Sequence, residues 1–239
     1  MPTLIFDCDG VLADTERYGH LPAFNQTFRE FELPVEWSEE EYGRRLAIGG
    51  GKERMASLLT PEFVKAASLP GDTEAQKEHV ARWHKRKTQI YTAMVGEGRL
   101  PGRPGVARII KEALNEGWQL AVASTSALES VQAILNHVAG PDLAARFAEI
   151  FAGDIVPRKK PAPDIYLLAV EKLGADKRQT LVVEDSRNGL EAADAAGLRC
   201  VITTNGYTRN EDFKEAALIV PDLDKVTISE LSALMGARS

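Results

Sequence analysis

The 239-residue chain has only two cysteines, Cys8 and Cys200, each inside an apolar run. Two thiols so placed make no disulfide framework; they read as buried, reduced core residues. Long hydrophobic runs are missing too: none approaches the ~18 apolar residues that span a bilayer, and Met1 leads almost directly into a strand, leaving no room for a signal or transit peptide. The expected location is the cytoplasm, or a plastid stroma if a targeting segment has been removed. Positive charge is in deficit, with 29 Lys and Arg against 35 Asp and Glu. Without a broad positive field, neither nucleic acid nor a membrane surface is expected as a partner, and small anionic ligands must be met by local cations. Repeats and low-complexity segments are absent, and a monomer is expected. At 44% hydrophobic and 27% charged residues the chain can bury a sizeable core.

What is present is a series of short runs rich in Val, Ile and Leu: "TLIF" at 3–6, "QLAVA" at 119–123, "EIFA" at 149–152, "TLVV" at 180–183, "CVIT" at 200–203 and "ALIV" at 217–220. They are too short and too continuous for amphipathic helices and predict buried strands. Helical patterns lie between them: "VARIIKEALNEG" closing at Gly117, "PDIYLLAVEKLG" opening at Pro163 and closing at Gly174, and "GLEAADAAG" closing at Gly197. Strand alternating with helix predicts an α/β fold with a doubly wound parallel sheet. Residues 17–95 break the alternation, with helices expected near 20–32, after a capping box at Ser38 and Glu41, at 52–60, from Pro61, and at 73–95. This segment reads as an inserted helical cap, with 1–16 and 96–239 forming the core; "LADTE" and the Gly/Pro-rich "VGEGRLPGRPG" suit hinges between them.

Open parallel sheets bind ligands beyond the carboxyl ends of their strands. There the sequence places Asp7-Cys8-Asp9-Gly10, Ser124-Thr125-Ser126, Gly153-Asp154 and Glu184-Asp185-Ser186, with Lys160 from "KKPAPD". Side chains two apart on a strand face the same way, so Asp7 and Asp9 are expected to converge while Cys8 turns into the core. Any one of these acids could simply cap the next helix; a whole set at equivalent positions calls for a hard divalent cation, and oxygen-only donors suggest Mg²⁺. A metal in turn invites a phosphoryl group. One Asp can attack phosphorus while another two residues on protonates the leaving oxygen and later deprotonates water; a lysine and a hydroxyl can hold the equatorial oxygens.

"DCDGVLADTE", the strand ending in Ser124, "KKPAPDIY" and "VVEDSRNGLEAADAAGL", in this order, resemble the four signature motifs of the haloacid dehalogenase superfamily. The resemblance implies Asp7 as nucleophile, Asp9 as acid/base, and Ser124 and Lys160 as the phosphoryl-holding pair. It implies a metal met by Asp7, the Asp9 carbonyl and Asp185, with Glu184 supporting. Because Asp9 is present, phosphoryl transfer rather than dehalogenation is implied. "DTERYGHLPAFNQTF", "YGRRLAIGGGKERM", "WHKRKT" and "AGDIVPRKKPAPDIY" resemble the CbbY group, phosphatases related to beta-phosphoglucomutase. That likeness implies hydrolysis of xylulose-1,5-bisphosphate, an inhibitory by-product of rubisco, and so metabolite repair in the Calvin cycle. His20 falls one residue further from the nucleophile than the catalytic histidine of the mutase, so no mutase role is carried over to it.

The glycine stretch "IGGGKERM" at 48–55 follows a helical pattern instead of a strand, and Glu53 stands where a nucleotide loop needs Ser or Thr on the metal. Gly50 and Gly51 expose amides ahead of a helix, and Lys52 and Arg54 add charge, so the stretch can hold a phosphate without being a nucleotide loop; the alternative is a plain glycine turn with solvated cations. With the core site, it implies a sugar phosphate with phosphates at both ends. Glu16 and Tyr42 are candidates for sugar hydroxyls, as are Thr125 and Ser126 for the substrate near the core. His84 and Lys87, three apart on one helix face, are further candidates for the same pocket; for His84 the alternative is a solvated helix residue. His79 and His84 share no face, which argues against zinc, and Arg158 and Lys159 read as a solvated basic turn. Three functions follow: a Mg²⁺-dependent sugar-bisphosphate phosphatase, a phosphosugar mutase, and a binding protein without chemistry. The complete acid set, Asp7, Asp9 and Asp185 with Lys160, argues against the last.

Overall fold

A computed structural model describes residues 1–48 and 50–236; Gly49, part of the glycine stretch above, lies outside the described residues. The chain divides into two compact units, one of Met1–Asp14 with Leu100–Ser239 and the other of Thr15–Arg99. The second begins two residues before and ends four after the 17–95 expected from composition.

In the first unit six strands form one parallel sheet: β1 (Thr3–Phe6), β2 (Gln119–Ser124), β3 (Glu149–Ala152), β4 (Thr180–Glu184), β5 (Arg199–Thr203) and β6 (Leu218–Val220), in the order β3-β2-β1-β4-β5-β6. Every run picked out by its unbroken apolar character is a strand, and β1 and β4 are buried along their whole lengths. Helices of this unit are the ones that show the complementary period. Val106, Ile109, Ile110, Ala113 and Leu114 are the buried residues of Val106–Asn115, the i, i+3, i+4, i+7, i+8 stripe that a sheet face covers. The helix Leu128–Ala139 repeats the pattern with Val131, Ile134 and Leu135. The sheet order reverses direction between β1 and β4, the switch point at which such folds bind ligands. Register aligns the ends there: Phe6 pairs with Val122 on one side and Val183 on the other, so residues following all three strands emerge at one edge.

Among its described residues the second unit contains five α-helices, Leu21–Glu30, Glu39–Arg45, Gly51–Ala56, Pro61–Ala66 and Thr73–Gly96, preceded by a π-helical turn at Glu16–His20. Its interior is aromatic: Phe28 meets Trp37 edge-on at 4.8 Å, and Phe24 and Tyr42 pack around the same indole. Asn25 pins Trp37 by exchanging two 2.8 Å hydrogen bonds with its backbone. The capping box expected at Ser38 is half formed. Ser38 accepts from the Glu41 amide at 3.1 Å, but the Glu41 carboxylate is held by Arg45 at 2.7 Å instead of turning back to the cap. Among the described residues no helix is long and apolar enough to cross a membrane.

Candidate active site

Asp7 continues the β1 ladder by donating its amide to Val183 O at 2.9 Å, and then the chain leaves the sheet. Asp7 to Gly10 are therefore a turn: Gly10 has φ +76°, its amide donates to Ala13 O, and Leu12 N donates to Cys8 O. The β1 ladder thus sets Asp7, and the turn that follows, not strand alternation, places Asp9. Cys8 is fully buried all the same, as is Cys200, and both are free thiols.

Lys160 bridges two strand ends. Its ammonium donates to Asp7 Oδ1 at 2.6 Å, to Glu184 Oε1 at 2.6 Å and to Ala123 O at 3.0 Å, which uses all three of its N–H bonds. Tyr166, in the first turn of the helix Asp164–Leu173, donates its hydroxyl to the same Glu184 oxygen at 2.5 Å, while Glu184 Oε2 accepts the Asp185 amide at 3.2 Å. The start of the next helix, Arg187–Ala195, crowds Glu184 from the other side: a Cβ on Gly189 would lie 2.0 Å from its carboxyl carbon. Glu184 is clamped, and its oxygens already serve Lys160, Tyr166 and the backbone. It holds Lys160 in place and has less to offer a cation than Asp7 or Asp185.

Asp9 accepts a short hydrogen bond from Ser126 Oγ, and Ser126 N donates to Ser124 Oγ at 3.2 Å. Ser124 is buried at the end of β2 and Thr125 is exposed. Asp154, which follows β3, stands apart: it is exposed and paired with Lys159 at 2.7 Å, and Arg158 pairs with Asp164 at 2.7 Å. The basic turn is solvated as its composition suggests.

The electrostatics of this cluster do not balance among its own side chains. Asp7, Glu184 and Asp185 are all buried, with one carboxylate oxygen from each inside 4.8 Å of the others, and a single ammonium faces them. Asp7 is raised to about 7, chiefly by burial; Lys160 opposes the rise, and Glu184 and Asp9 add to it. For Lys160, burial works against the charge, but Asp7 and Glu184 more than offset it and hold the amine above its ordinary range. A buried set of carboxylate oxygens short of positive charge fits a hard divalent cation.

The helical unit gathers the opposite charge. Tyr42 donates a short hydrogen bond to Glu16 Oε2. Arg54 donates to the Tyr42 hydroxyl at 2.9 Å and to Ile48 O at 3.1 Å. Glu16 and Tyr42, expected to meet a ligand separately, are thus links of one chain that orients Arg54. Lys52 is exposed. Lys87 is buried, only 6% exposed, between the faces of Phe24 and Tyr91, with its ammonium 2.7 Å from His20 Nδ1. An ammonium has no acceptor, so His20 Nδ1 is the acceptor, and its ring stacks on Tyr91 at 4.1 Å. His84 is half-buried and not a solvated helix residue. Its Nε2 would be 3.2 Å from a Cβ on Gly51, so the missing side chain makes room for the ring. Burial, and then the charge of Lys87, hold its pKa below the usual histidine range. Gly50 takes φ +94° ahead of the short helix Gly51–Ala56.

Sequence reasoning missed Tyr166 as the second donor to Glu184, although it ends the quoted "KKPAPDIY", and missed Asn205, which donates to Asp185 Oδ2 at 2.7 Å. "TNG" reads as an ordinary turn, and no local signal ties it to Asp185.

Residues 1–197 match the family described as haloacid dehalogenase-like hydrolase, and the chain is 41% identical to the CbbY protein of Rhodobacter capsulatus over 98% of its own length and 99% of the relative. It belongs to the haloacid dehalogenase-like hydrolases, among the CbbY proteins. This CbbY-family chain is also 48% identical to the CBBY-like protein of Arabidopsis thaliana over 89% of its length, spanning 66% of that longer relative. Its structure superposes with a TM-score of 0.82, at 36% identity and covering 97% of this chain and 100% of the other, on a mutant of CbbY from Rhodobacter sphaeroides crystallised with xylulose-1,5-bisphosphate. The expected family, fold and hydrolase class are borne out.

Proposed function

We propose that this CbbY-family hydrolase is a Mg²⁺-dependent phosphatase that removes one phosphate from xylulose-1,5-bisphosphate. The observation that carries the reading is the pairing at the switch point: a buried Asp7 held by Lys160, and Asp9, two residues on, held by Ser126. The similarity to a CbbY protein crystallised with that sugar bisphosphate supports the choice of substrate.

Asp7 attacks phosphorus through one carboxylate oxygen, and the bond between phosphorus and the sugar oxygen breaks as Asp9, entering protonated, gives its proton to that oxygen. The product is an aspartyl-phosphate on Asp7. Asp9, now a carboxylate, takes a proton from water as the water oxygen attacks phosphorus, the acyl phosphate bond breaks, and Asp7 and Asp9 return to their starting states. Lys160, exchanging one of its three protein acceptors for an equatorial oxygen, and Ser124 hold the phosphoryl group as charge spreads over its oxygens. Asp7, Asp185 and the Asp9 carbonyl would hold the cation, which when bound offsets the carboxylates and polarises the phosphoryl oxygens. In the helical cap, Lys52, Arg54 and Lys87 bind the phosphate that does not react. Gly50, Gly51, Glu16, Tyr42 and His84 shape that pocket, and Thr125 and Ser126 complete the substrate contacts near the core.

The test is phosphate release from xylulose-1,5-bisphosphate against interconversion of glucose 1-phosphate, each with Mg²⁺ and with EDTA. Stoichiometric, EDTA-sensitive phosphate release from the bisphosphate is expected. Isomerisation of glucose 1-phosphate without free phosphate would replace the phosphatase by a mutase.

A further inference from the structure

We infer that Asn205 is a positioning residue for the cation site, holding the Asp185 carboxylate in the rotation that a cation requires. The inference rests on the cation reading above and adds a residue from the loop after β5.

Asn205 Nδ2 donates to Asp185 Oδ2 at 2.7 Å. The other end of the amide fixes which atom faces Asp185. Asn205 Oδ1 accepts the Tyr207 amide at 2.8 Å and the Thr208 amide at 3.2 Å, and two N–H donors require an oxygen. The side chain is locked further by Asn205 N donating to Thr208 Oγ1 at 3.2 Å and Arg209 N donating to Asn205 O at 3.2 Å. The donor is therefore aimed at Asp185 by a closed turn.

Two other features fix the pair. A Cβ on Gly10 would lie 2.0 Å from Asp185 Oδ2 and 3.1 Å from Asn205 Nδ2, so the hydrogen bond occupies the room that Gly10 leaves. Two residues beyond Asp185, Arg187 binds the far end of the same loop. Its amide donates to Glu211 at 2.6 Å and its guanidinium to Asp212 O at 2.8 Å, and it pairs with Glu215. The segment carrying Asp185 is thus tied to the 205–215 loop at both ends. A carboxylate turns freely about its last bond; one oxygen held by a fixed N–H sets where the other points. Outer hydrogen bonds of this kind typically govern metal affinity by about 10- to 100-fold.

The experiment is direct Mg²⁺ titration of the full chain, by calorimetry without substrate, together with the melting temperature of the cation-free protein. Three variants are compared with wild type: Asn205→Ala, Asn205→Ser and Thr208→Val. Serine can accept the turn amides but cannot reach Asp185, so it keeps the loop closed if alanine loosens it. Both Asn205 variants should bind Mg²⁺ about 10- to 100-fold more weakly, and Thr208→Val, which keeps the amide, by less than about threefold. Affinities of both Asn205 variants within about threefold of wild type would overturn the assignment. So would a Thr208→Val loss as large as theirs, since the turn and not the amide would then be responsible. Wild-type protein that takes up no Mg²⁺ would overturn the cation reading and this inference together.

Discussion

The two units collect opposite charges by different means. At the sheet edge the reactive groups are mostly short, Asp7, Asp9, Ser124 and Asp185, each within a few residues of a strand end whose position the β1 register already sets. In the helical unit they are long, Arg54, Lys87 and Tyr42, and they are placed by one another through hydrogen bonds and ring faces. Backbone register fixes the first set; a side-chain network fixes the second. The core cluster has more buried carboxylates than its one ammonium balances and the helical cluster is built around cations, so one suits metal-assisted attack on phosphorus and the other suits gripping an anion. Damage to the first should stop the chemistry on every substrate, and damage to the second should change which substrates are accepted.

The largest effect expected is on Asp7. Asp7→Asn should lower kcat by at least ~1000-fold on sugar bisphosphates and on aryl phosphates alike, because an amide cannot attack phosphorus. Its oxygen still accepts from Lys160, which keeps Glu184, so the melting temperature should move by no more than about 4 °C. Residual turnover of more than a few per cent would remove Asp7 from the nucleophile's role. Asp9→Asn should come next and separate by leaving group. A sugar alkoxide needs a proton and an activated aryl oxide does not, so kcat should drop by roughly 100-fold or more on the bisphosphate and much less on the aryl ester. Equal losses would show that Asp9 does not act as the acid.

The helical cluster gives the contrasting result. Replacing Lys52 and Arg54 together by Ala should cut kcat/KM for the bisphosphate by about 100-fold, since each charge-assisted contact is worth about 1.5 to 3 kcal/mol. Hydrolysis of a small aryl monophosphate should change by less than about threefold. Parallel losses on both substrates would erase the distinction between the two regions. Arg54→Lys sharpens the point: lysine keeps the charge but cannot reach Tyr42 and Ile48 O in the same fork, so most of the loss should remain.

The same contrast explains what could be read in the sequence. Strands and the residues after them are local, and an unbroken apolar run followed by acids carries both the fold and the position of Asp7, Glu184 and Asp185. Partners that meet only through tertiary structure left no such trace. Asn205 arrives from a turn 20 residues beyond Asp185, and Tyr42 reaches Glu16 across 26 residues. Helices were missed where their stripe was brief or their start unmarked. Leu128–Ala139 opens with no side-chain cap, and Ile228–Ala233 is six residues long, although Thr227 and Glu230 close a full capping box before it. His84 could be read as solvated because charged neighbours surround it in sequence; the Gly51 gap that receives its ring, and the Phe24 face that with Tyr91 of its own helix buries Lys87, come from other helices.

The smallest effect separates what folds the helical unit from what it binds with. Glu30, at the last residue of Leu21–Glu30, joins that helix to Thr73–Gly96 through Arg86, by bonds of 2.6 and 3.0 Å. Among the described residues its side-chain hydrogen bonds and ion pair go to Gln26 and Arg86, neither of which is assigned to the anion pocket. A carboxylate at a helix C-terminus opposes the helix dipole, so the pair must offset that cost as well as the freezing of two side chains. Hydrogen bonds from Arg86 and then Gln26 lower the Glu30 pKa from 4.5 to about 2. A depressed carboxylate contributes stability above its unfolded value and loses it as pH falls toward the folded one. Both side chains are partly solvated, which keeps the contribution small. Glu30→Gln should therefore lower the melting temperature near neutral pH by less than about 4 °C. The gap to wild type should narrow between about pH 5 and pH 3 and shrink in ~1 M salt. Discrimination between bisphosphate and aryl substrates should stay as in wild type. A gap independent of pH and salt would mean that Glu30 acts by packing, and an altered substrate preference would mean that the scaffold and the anion pocket of this unit are one network.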